Sequence, residues 1–405
     1  MTSVAGAGAP IIEFDHHSSE IANKWDEVLE RVTRHRVFYT ESYGGFWVVA
    51  SNEVAKGVLR DPATFSTERI ADGSGGITIP QLPVRLIPAE VDPPYHSELR
   101  KVINPLFNRT AVGALQPIIE RVATEVIDAV LAKGEFDVVH DIAHVFPARV
   151  MLTYLGFAES DRLPLMNAVQ TGFSTSEDGG SAEVDTEAAM ALFAEIYQRI
   201  MGLVEQRRAQ PLDDVVSHLV TQTDYVLNDE ELLWVIFTLV VGGTENVGAL
   251  LENALLYLHD DDRARQRLIE HPEEMPGAVE EFLRHFTPGV STVRHVRRDV
   301  ELDGLALRPG DRVLVWLPGP NHDPALFDDP RRIDISRSNA GRHMAFGEGT
   351  HHCPGAIIGR LEVTHFLTEF LRRVPGYRIE GASARRFTNP SIMNGWWSMP
   401  ARTRG

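Results

Sequence analysis

Apolar residues return at every third and fourth position over 111–133, 188–208 and 228–259, and this spacing predicts three amphipathic helices. The last opens on Asn228 followed by Asp229, Glu230 and Glu231, a capping side chain with an acidic first turn behind it. At 1.5 Å per residue, about thirty residues reach roughly 45 Å, so this helix should cross the whole molecule. Strand-like runs at 37–39 and 46–49 flank Tyr43-Gly44-Gly45 and predict a hairpin, with a short helix over 52–59 after it. Alternation over 292–317, turning at Pro309-Gly310, predicts a small antiparallel sheet. Between these, 66–88 is written in Gly, Pro and isolated apolar residues, including Gly73-Ser74-Gly75-Gly76, and predicts a long loop of the kind that carries function. No Gly-Lys-Ser/Thr follows, which sets a phosphate loop aside. The polar run Ser176-Glu177-Asp178-Gly179-Gly180-Ser181 joins two helical stretches within 175–187, as a lid connection or as an idle surface loop. The fold class is therefore mainly α with small antiparallel β-sheets. Nothing in the middle reads as a linker, so 1–405 is expected to form a single domain.

Composition adds limits. Of 405 residues, 43% are hydrophobic and 24% charged, enough to bury a sizeable core. A formal charge of −18 argues against a nucleic-acid partner, because phosphate backbones are held by clusters of Lys and Arg. The opening Met1-Thr2-Ser3-Val4-Ala5-Gly6-Ala7-Gly8-Ala9-Pro10 shows neither a basic n-region nor a long apolar stretch. No membrane anchor and a cytoplasmic location are expected. A single cysteine rules out an internal disulfide, in keeping with a reducing compartment.

That cysteine, Cys353, lies in Phe346-Gly347-Glu348-Gly349-Thr350-His351-His352-Cys353-Pro354-Gly355, with the helix-compatible run Ala356-Ile357-Ile358-Gly359-Arg360-Leu361-Glu362 behind it. A lone thiol is most often a small core hydrophobe. Here Gly347, Gly349 and Gly355 let the backbone bend tightly and bring N–H groups to one atom, which a thiolate needs and a buried thiol does not. The positive end of the following helix adds to that stabilisation. One thiolate cannot close a structural zinc site, which wants four ligands, but it can be the single axial ligand of a haem iron.

The decapeptide resembles the haem-binding loop of the cytochrome P-450 monooxygenases, Phe-Gly-x-Gly-x-His-x-Cys-x-Gly. Phe346, Gly347, Gly349, His351, Cys353 and Gly355 match every fixed place. The resemblance implies the cytochrome P-450 fold, a long central helix over haem b (iron protoporphyrin IX), and Cys353 as the metal ligand. Phe346, Gly347 and Gly355 would shape the cofactor loop. It also implies use of O2, with electrons from NAD(P)H delivered singly by a ferredoxin or flavodoxin. A peroxide-driven haem-thiolate enzyme and a non-catalytic haem sensor or carrier are the competing readings.

Within the long helix, Val241-Gly242-Gly243-Thr244-Glu245-Asn246-Val247 places two glycines where each costs about 1 kcal/mol relative to alanine. Close approach of a flat cofactor, or a local widening of the helix, would justify them. The family pattern there is small-Gly-x-acid-Thr, which Gly242, Gly243, Thr244 and Glu245 fit. Asn246 stands where the threonine is expected. An amide holds a water or donates a hydrogen bond, but it does not relay a proton as a hydroxyl does. Glu245 with an ordered water is then expected to deliver protons, while Asn246 orients a reacting oxygen or a polar atom of the substrate. The retained acid speaks against both competing readings.

By family position, Glu281 and Arg284, three apart on one helical face, pair with Arg337 as scaffold. His96, Arg100, Arg294 and His351 are the expected partners of the haem propionates. Phe173, Leu239, Val240, Gly243, Val290, Thr292, Ile392 and Met393, with the 66–88 loop, are the expected pocket walls. They are mostly apolar and suggest a compact, terpenoid-like small molecule. Lys101, Arg109, Arg342, His343, His352 and Arg360 would form a basic face for an acidic redox partner. His140 and His144 stand four apart and could share an ion, but no third ligand is evident and a packed short helix is the expected outcome.

Overall fold

The computed structural model describes residues 8–404 apart from 71–73, 82–84, 163, 166–185 and 390–392, with the backbone alone at 186–190. Phe173, Ile392 and the 176–181 run lie outside the described residues.

The central helix spans Asp229–Asp260, 32 residues. Its start is a capping box: Glu231 N donates to Asn228 Oδ1 at 3.0 Å and Asn228 N to Glu231 Oε2 at 2.8 Å. Apolar residues surround it, so it is buried along most of its length, and helices Phe146–Leu155, Ala356–Arg373 and Met275–Phe286 pack on it. Among the described residues it is the one helix long and apolar enough to cross a bilayer, and most of its apolar stretch lies inside the protein. The 188–208 periodicity becomes Thr186–Ala209. The 111–133 stretch is two helices, Arg109–Ala114 and Gln116–Lys133, not one. Pro117 causes the break, since it lacks the N–H and its ring would clash with a carbonyl four residues back. Placed in the first turn of the second helix, it starts that helix instead.

The predicted hairpin is Val37–Thr40 with Phe46–Val49, antiparallel in the register Val37↔Val49. The 292–317 region splits into Ser291–Val296, which pairs antiparallel with Arg312–Trp316, and a small separate hairpin of Val300–Leu302 with Leu305–Leu307. A parallel pairing, Trp47↔Val313, then fuses the early hairpin and the late strands into one five-stranded sheet whose far edge is Phe65–Ser66. Alternation along the strands buries both faces. Trp47, Val49, Val313 and Val315 meet helix Asn52–Arg60, while Phe46, Val48, Leu314 and Trp316 meet Trp25–Thr33. The sheet holds the loop ends, and the cysteine segment packs against helix Asn52–Arg60 and leads into Ala356–Arg373.

Candidate active site

Two backbone bends build the cysteine loop. Gly347 and Gly349 have φ of +69° and +70°, the left-handed region that only glycine adopts without strain. At Gly349 a Cβ would also lie 2.5 Å from Leu59 O, so the loop can press against helix Asn52–Arg60 only without a side chain. The turn closes with Cys353 N donating to Phe346 O at 2.9 Å, and helix Ala356–Arg373 starts directly after Gly355. Burial pushes the Cys353 thiol up, while the Gly355 N–H and the charges of Arg100 and Arg360 pull it back toward the thiolate. Arg360 lies over the Phe346 ring, 4.5 Å from its centroid, and its Nη2 donates to Glu280 Oε2 at 3.0 Å. Although burial works to raise the Glu280 carboxyl, hydrogen bonds from His343 and Arg360 outweigh it and hold the group at about 2. His343 and Arg360 therefore face inward to Glu280. Of the six residues grouped from sequence as a basic face, only Lys101, Arg109, Arg342 and His352 are exposed.

Above this loop the chain gathers basic groups with few acids. His96 is 2% exposed, neither of its ring nitrogens has a partner among the described residues, and its ring lies 4.2 Å from that of His351. His351 Nε2 meets Thr67 Oγ1 at 3.2 Å. Arg294, 3% exposed, donates from Nη1 to Thr292 Oγ1 at 2.7 Å and Val293 O at 2.8 Å, and no carboxylate pairs with it among the described residues. Burial lowers Arg294 to about 10, with only Asp92 opposing. Arg100 Nη1 donates to His352 O at 2.9 Å, which ties it to the residue before the cysteine. Burial and the charge of Arg100 lower His96 to about 4. A buried guanidinium without an anion beside an unpartnered imidazole is a costly arrangement on its own. It suits a ligand that brings carboxylates.

The central helix runs past this cluster. Phe346 Cε1 and Val247 Cγ2 lie 3.9 Å and 3.8 Å from the Cβ position of Gly359, so the cysteine loop and the central helix meet next to Asn246. Gly242 and Asn246, one turn apart, are exposed in a helix otherwise largely buried, and a Cβ at Gly242 would meet nothing within 4 Å. Gly243 points elsewhere. Its Cβ would fall 2.3 Å from Met151 Cε and 2.8 Å from Met151 Cγ, so this glycine admits helix Phe146–Leu155 rather than a cofactor or substrate. The helix shows no widening either. The wide turn is the π-helix Val138–Ala143, whose Ala143 carbonyl would lie 2.7 Å from a Cβ at Gly248. That π-turn carries His140, whose ring is 5.7 Å from that of His144, and no metal-holding group of acids, histidines or cysteines occurs among the described residues.

Thr244 turns its hydroxyl back to Val240 O at 3.0 Å and Val241 O at 3.3 Å, so it serves its own helix. Burial raises the Glu245 carboxyl to about 7, the Thr244 hydroxyl opposing. The Asn246 amide oxygen lies 3.3 Å from the Cβ position of Gly289, which is bridged in turn to Met393. Among the expected pocket walls, Val240 and Val290 are core residues at 1% exposure, and Leu239 at 8% is nearly so. They back the wall instead of facing a ligand. Thr292 is taken up by Arg294, and Met393 is half-buried beside Gly289.

The scaffold residues converge. Arg284 and Glu281, both fully buried, make two parallel bonds of 2.7 Å, Nε to Oε2 and Nη2 to Oε1, and Arg337 Nε reaches both Glu281 oxygens at 3.1 Å. Arg284 Nη1 also donates to Asn321 O at 2.9 Å, and Asn321 Oδ1 accepts from Met344 N at 2.6 Å, two residues before the cysteine loop. Among the described residues, sequence reasoning missed four buried acids, Glu90, Glu252, Asp323 and Glu362. Glu252 had a signal: it stands seven residues after Glu245, on the same helical face and directly after Leu250 and Leu251. Burial raises it to about 8, with the Trp396 N–H opposing and Glu245 adding to the rise. The orphaned His96 nitrogens, the anion-free Arg294, the glycine-turned Cys353 and the open turn at Gly242 together fit a flat, dianionic cofactor ligated by sulfur.

A family profile described as Cytochrome P450 matches residues 39–375. The chain is 32% identical to the Mycinamicin IV hydroxylase/epoxidase of Micromonospora griseorubida over 90% of this chain and 91% of that protein. It is 32% identical to Cytochrome P450(MEG) of Priestia megaterium over 82% and 84%. Among solved structures, the Bacillus subtilis 168 bacillaene polyketide synthase cytochrome P450 PksS superposes with a TM-score of 0.86 at 25% identity, over 97% of this chain and 100% of that one. With this fold, this loop and these relatives, the chain belongs to the cytochrome P450 family and is a haem-thiolate monooxygenase.

Proposed function

We propose that the protein, acting as one catalytic unit, binds haem b through Cys353 and inserts one oxygen atom of O2 into a C–H bond of a compact, mostly apolar, terpenoid-like molecule. Electrons come from NAD(P)H through a ferredoxin or flavodoxin. The observation that carries this reading is the meeting of the Phe346 turn, which leads to Cys353, with the central helix next to Asn246, beside a basic cluster that has no ion-paired carboxylate among the described residues. A thiolate-ligated haem supplies an electron-rich iron that favours O–O cleavage.

The polypeptide does the rest. His96, Arg100, Arg294 and His351 take the two propionates, which pairs Arg294 and gives the His96 nitrogens partners. Phe346, Gly347 and Gly355 cradle the sulfur, with Arg360 stacked behind the Phe346 ring. Glu281, Arg284 and Arg337 fix the approach to the loop. Glu245, titrating near neutrality, holds and passes the proton at its carboxyl. Asn246 aligns a reacting oxygen or a polar substrate atom through its amide. The hydroxylase/epoxidase activity named for the Micromonospora relative supports oxygen insertion into an organic molecule as the reaction class.

The test is spectroscopic first: the reduced protein under carbon monoxide shows the red-displaced Soret band of a thiolate-ligated haem, and Cys353→Ala lacks it. Turnover with ferredoxin, its reductase and NADH then yields a product one oxygen heavier. Turnover with peroxide alone and none with ferredoxin would overturn the electron-transfer part, and a wild-type protein without the displaced band would overturn the whole.

A further inference from the structure

Asn246 and Asn253 stand seven residues apart on the central helix, along one face. Both reach the same stretch of chain. Asn253, which is buried, donates from Nδ2 to Asn394 O at 2.9 Å and accepts from Trp396 Nε1 at 3.1 Å. Asn394, buried as well, donates from its main-chain N to Pro288 O at 2.9 Å and from Nδ2 to Phe286 O at 2.7 Å. Gly289 is bridged to Met393, and Val290 O accepts from Leu317 N at 2.8 Å, directly after strand Arg312–Trp316. Residues 288–290 are thus held from the central helix on one side and from the five-stranded sheet on the other.

What this frame presents to Asn246 is a missing side chain. The amide Oδ1 lies 3.3 Å from the Cβ position of Gly289. A methyl group settles at about 3.5–4.0 Å from its neighbours, so an alanine there would push the amide aside. Glycine instead puts a hydrogen in that direction, and a C–H can meet a carbonyl oxygen as a weak donor. Turned over, the amide would set its N–H2 against a C–H with no acceptor. The oxygen arm of the carboxamide therefore rests on Gly289, and the nitrogen arm is left over, since this amide makes no hydrogen bond among the described residues. Asn246 is exposed on the same open turn as Gly242, where the reacting oxygen is expected. Because the frame is anchored at Asn253 on the same helix, the gap between Gly289 and Asn246 is set within one packed unit.

We infer that Gly289 is a positioning residue for Asn246: by withholding a side chain it seats the amide oxygen and aims the amide N–H2 at the reacting oxygen. The inference rests on the haem-thiolate reading for the reacting oxygen, but not for the seat. Gly289 acts through Asn246, so its substitution matters only while that amide is present. It gives only main-chain atoms to the frame and its φ lies outside the left-handed region, so an alanine leaves the frame standing.

The experiment reads the C–O stretch of the reduced carbon monoxide complex by infrared spectroscopy in wild-type, Gly289→Ala, Asn246→Ala and doubly substituted holoenzymes. An N–H donor beside the bound carbon monoxide lowers that frequency. Wild type is expected to lie lowest and Asn246→Ala highest, with Gly289→Ala shifted toward Asn246→Ala because the methyl turns the donor off its line. In the Asn246→Ala background the glycine substitution is expected to move nothing. The thermal midpoint of Gly289→Ala should stay within about 2 °C of wild type. A stretch unchanged by Gly289→Ala overturns the inference. So does an equal shift in both backgrounds, since the glycine would then act without the amide. Crystals of the wild-type holoenzyme are the second arm: the Asn246 carboxamide is expected against Gly289, and one turned away from residue 289 overturns the inference even where Gly289→Ala fails to take up haem. A seated amide in a wild-type protein without the displaced carbon monoxide band would sink the haem-thiolate reading alone.

Discussion

In the proposed reaction Glu245 is the proton carrier. With burial holding its carboxyl at about 7 instead of the usual carboxylate range, the group carries its proton below that pH and loses it above. Product formed per NADH is therefore expected to be highest on the acid side of neutrality and to fall as pH rises through about 7. Glu245→Gln should flatten that profile and lower turnover by about a hundredfold, the usual scale of one general acid. Asn246→Ala should leave NADH consumption running while product falls, and parallel loss of both would count against its orienting role. Glu252 obeys the same physics without the chemistry. Its folded value of about 8 exceeds the unfolded one, so its contribution to stability is complete below about 4.5 and drains away as pH rises toward 8. At about 1.4 kcal/mol per pKa unit the swing is a few kcal/mol, and over this window denaturant unfolding of Glu252→Gln should lose stability less steeply with rising pH than wild type, the remaining slope coming from Glu245 and Glu362. The tight turn at Cys353 was legible because the residues that build it are neighbours in sequence. Glu90 was not legible, because its donors, at Arg69, Ile77 and Leu86, come from three separate points of a loop without periodicity.

At the scale of elements, the two adjacent glycines of the central helix separate into two jobs. Gly243→Ala drives a methyl into Met151 and should cost about 1–3 kcal/mol, whereas Gly242→Ala meets open space and should gain up to about 1 kcal/mol of helix propensity in the cofactor-free protein. Met151→Ala in the Gly243→Ala background should recover part of the loss, and calorimetry on wild type, Gly243→Ala, Met151→Ala and the double variant gives the coupling. The pattern of apolar positions could flag that a glycine pair needed a reason, but not that its partner was a methionine on another helix. The long helix itself was legible down to its capping residue, because capping is local. The break at Pro117 was equally local and was still smoothed over by a periodicity that runs straight through it. The Glu281–Arg284–Arg337 cluster predicts the sharpest response of any element. Glu281→Gln leaves two guanidinium groups uncompensated in the interior, which should cost about 3–5 kcal/mol and appear as loss of haem on purification.

Across the whole molecule, a charge of −18 coexists with an exposed quartet of Lys101, Arg109, Arg342 and His352, of which Lys101 pairs with Glu98. Because salt confines charge effects to within about 10 Å at ordinary ionic strength, that quartet and not the net charge should govern docking of an acidic electron donor. Reduction by ferredoxin should slow with added salt, and Arg109→Glu with Arg342→Glu should slow it further at low salt. The five-stranded sheet was half legible: four strands showed as strand-like runs, but Phe65–Ser66 did not, and the register Trp47↔Val313 joins stretches that no local pattern connects. That single parallel pairing also orders events during translation. The early hairpin leaves the ribosome with one edge bare and must wait for most of the remaining chain before its neighbour is synthesised. Cys353, the proposed iron ligand, emerges later still. Nascent chains halted before Arg312 should therefore depend on chaperones to stay unaggregated, and haem can load only near the end of synthesis.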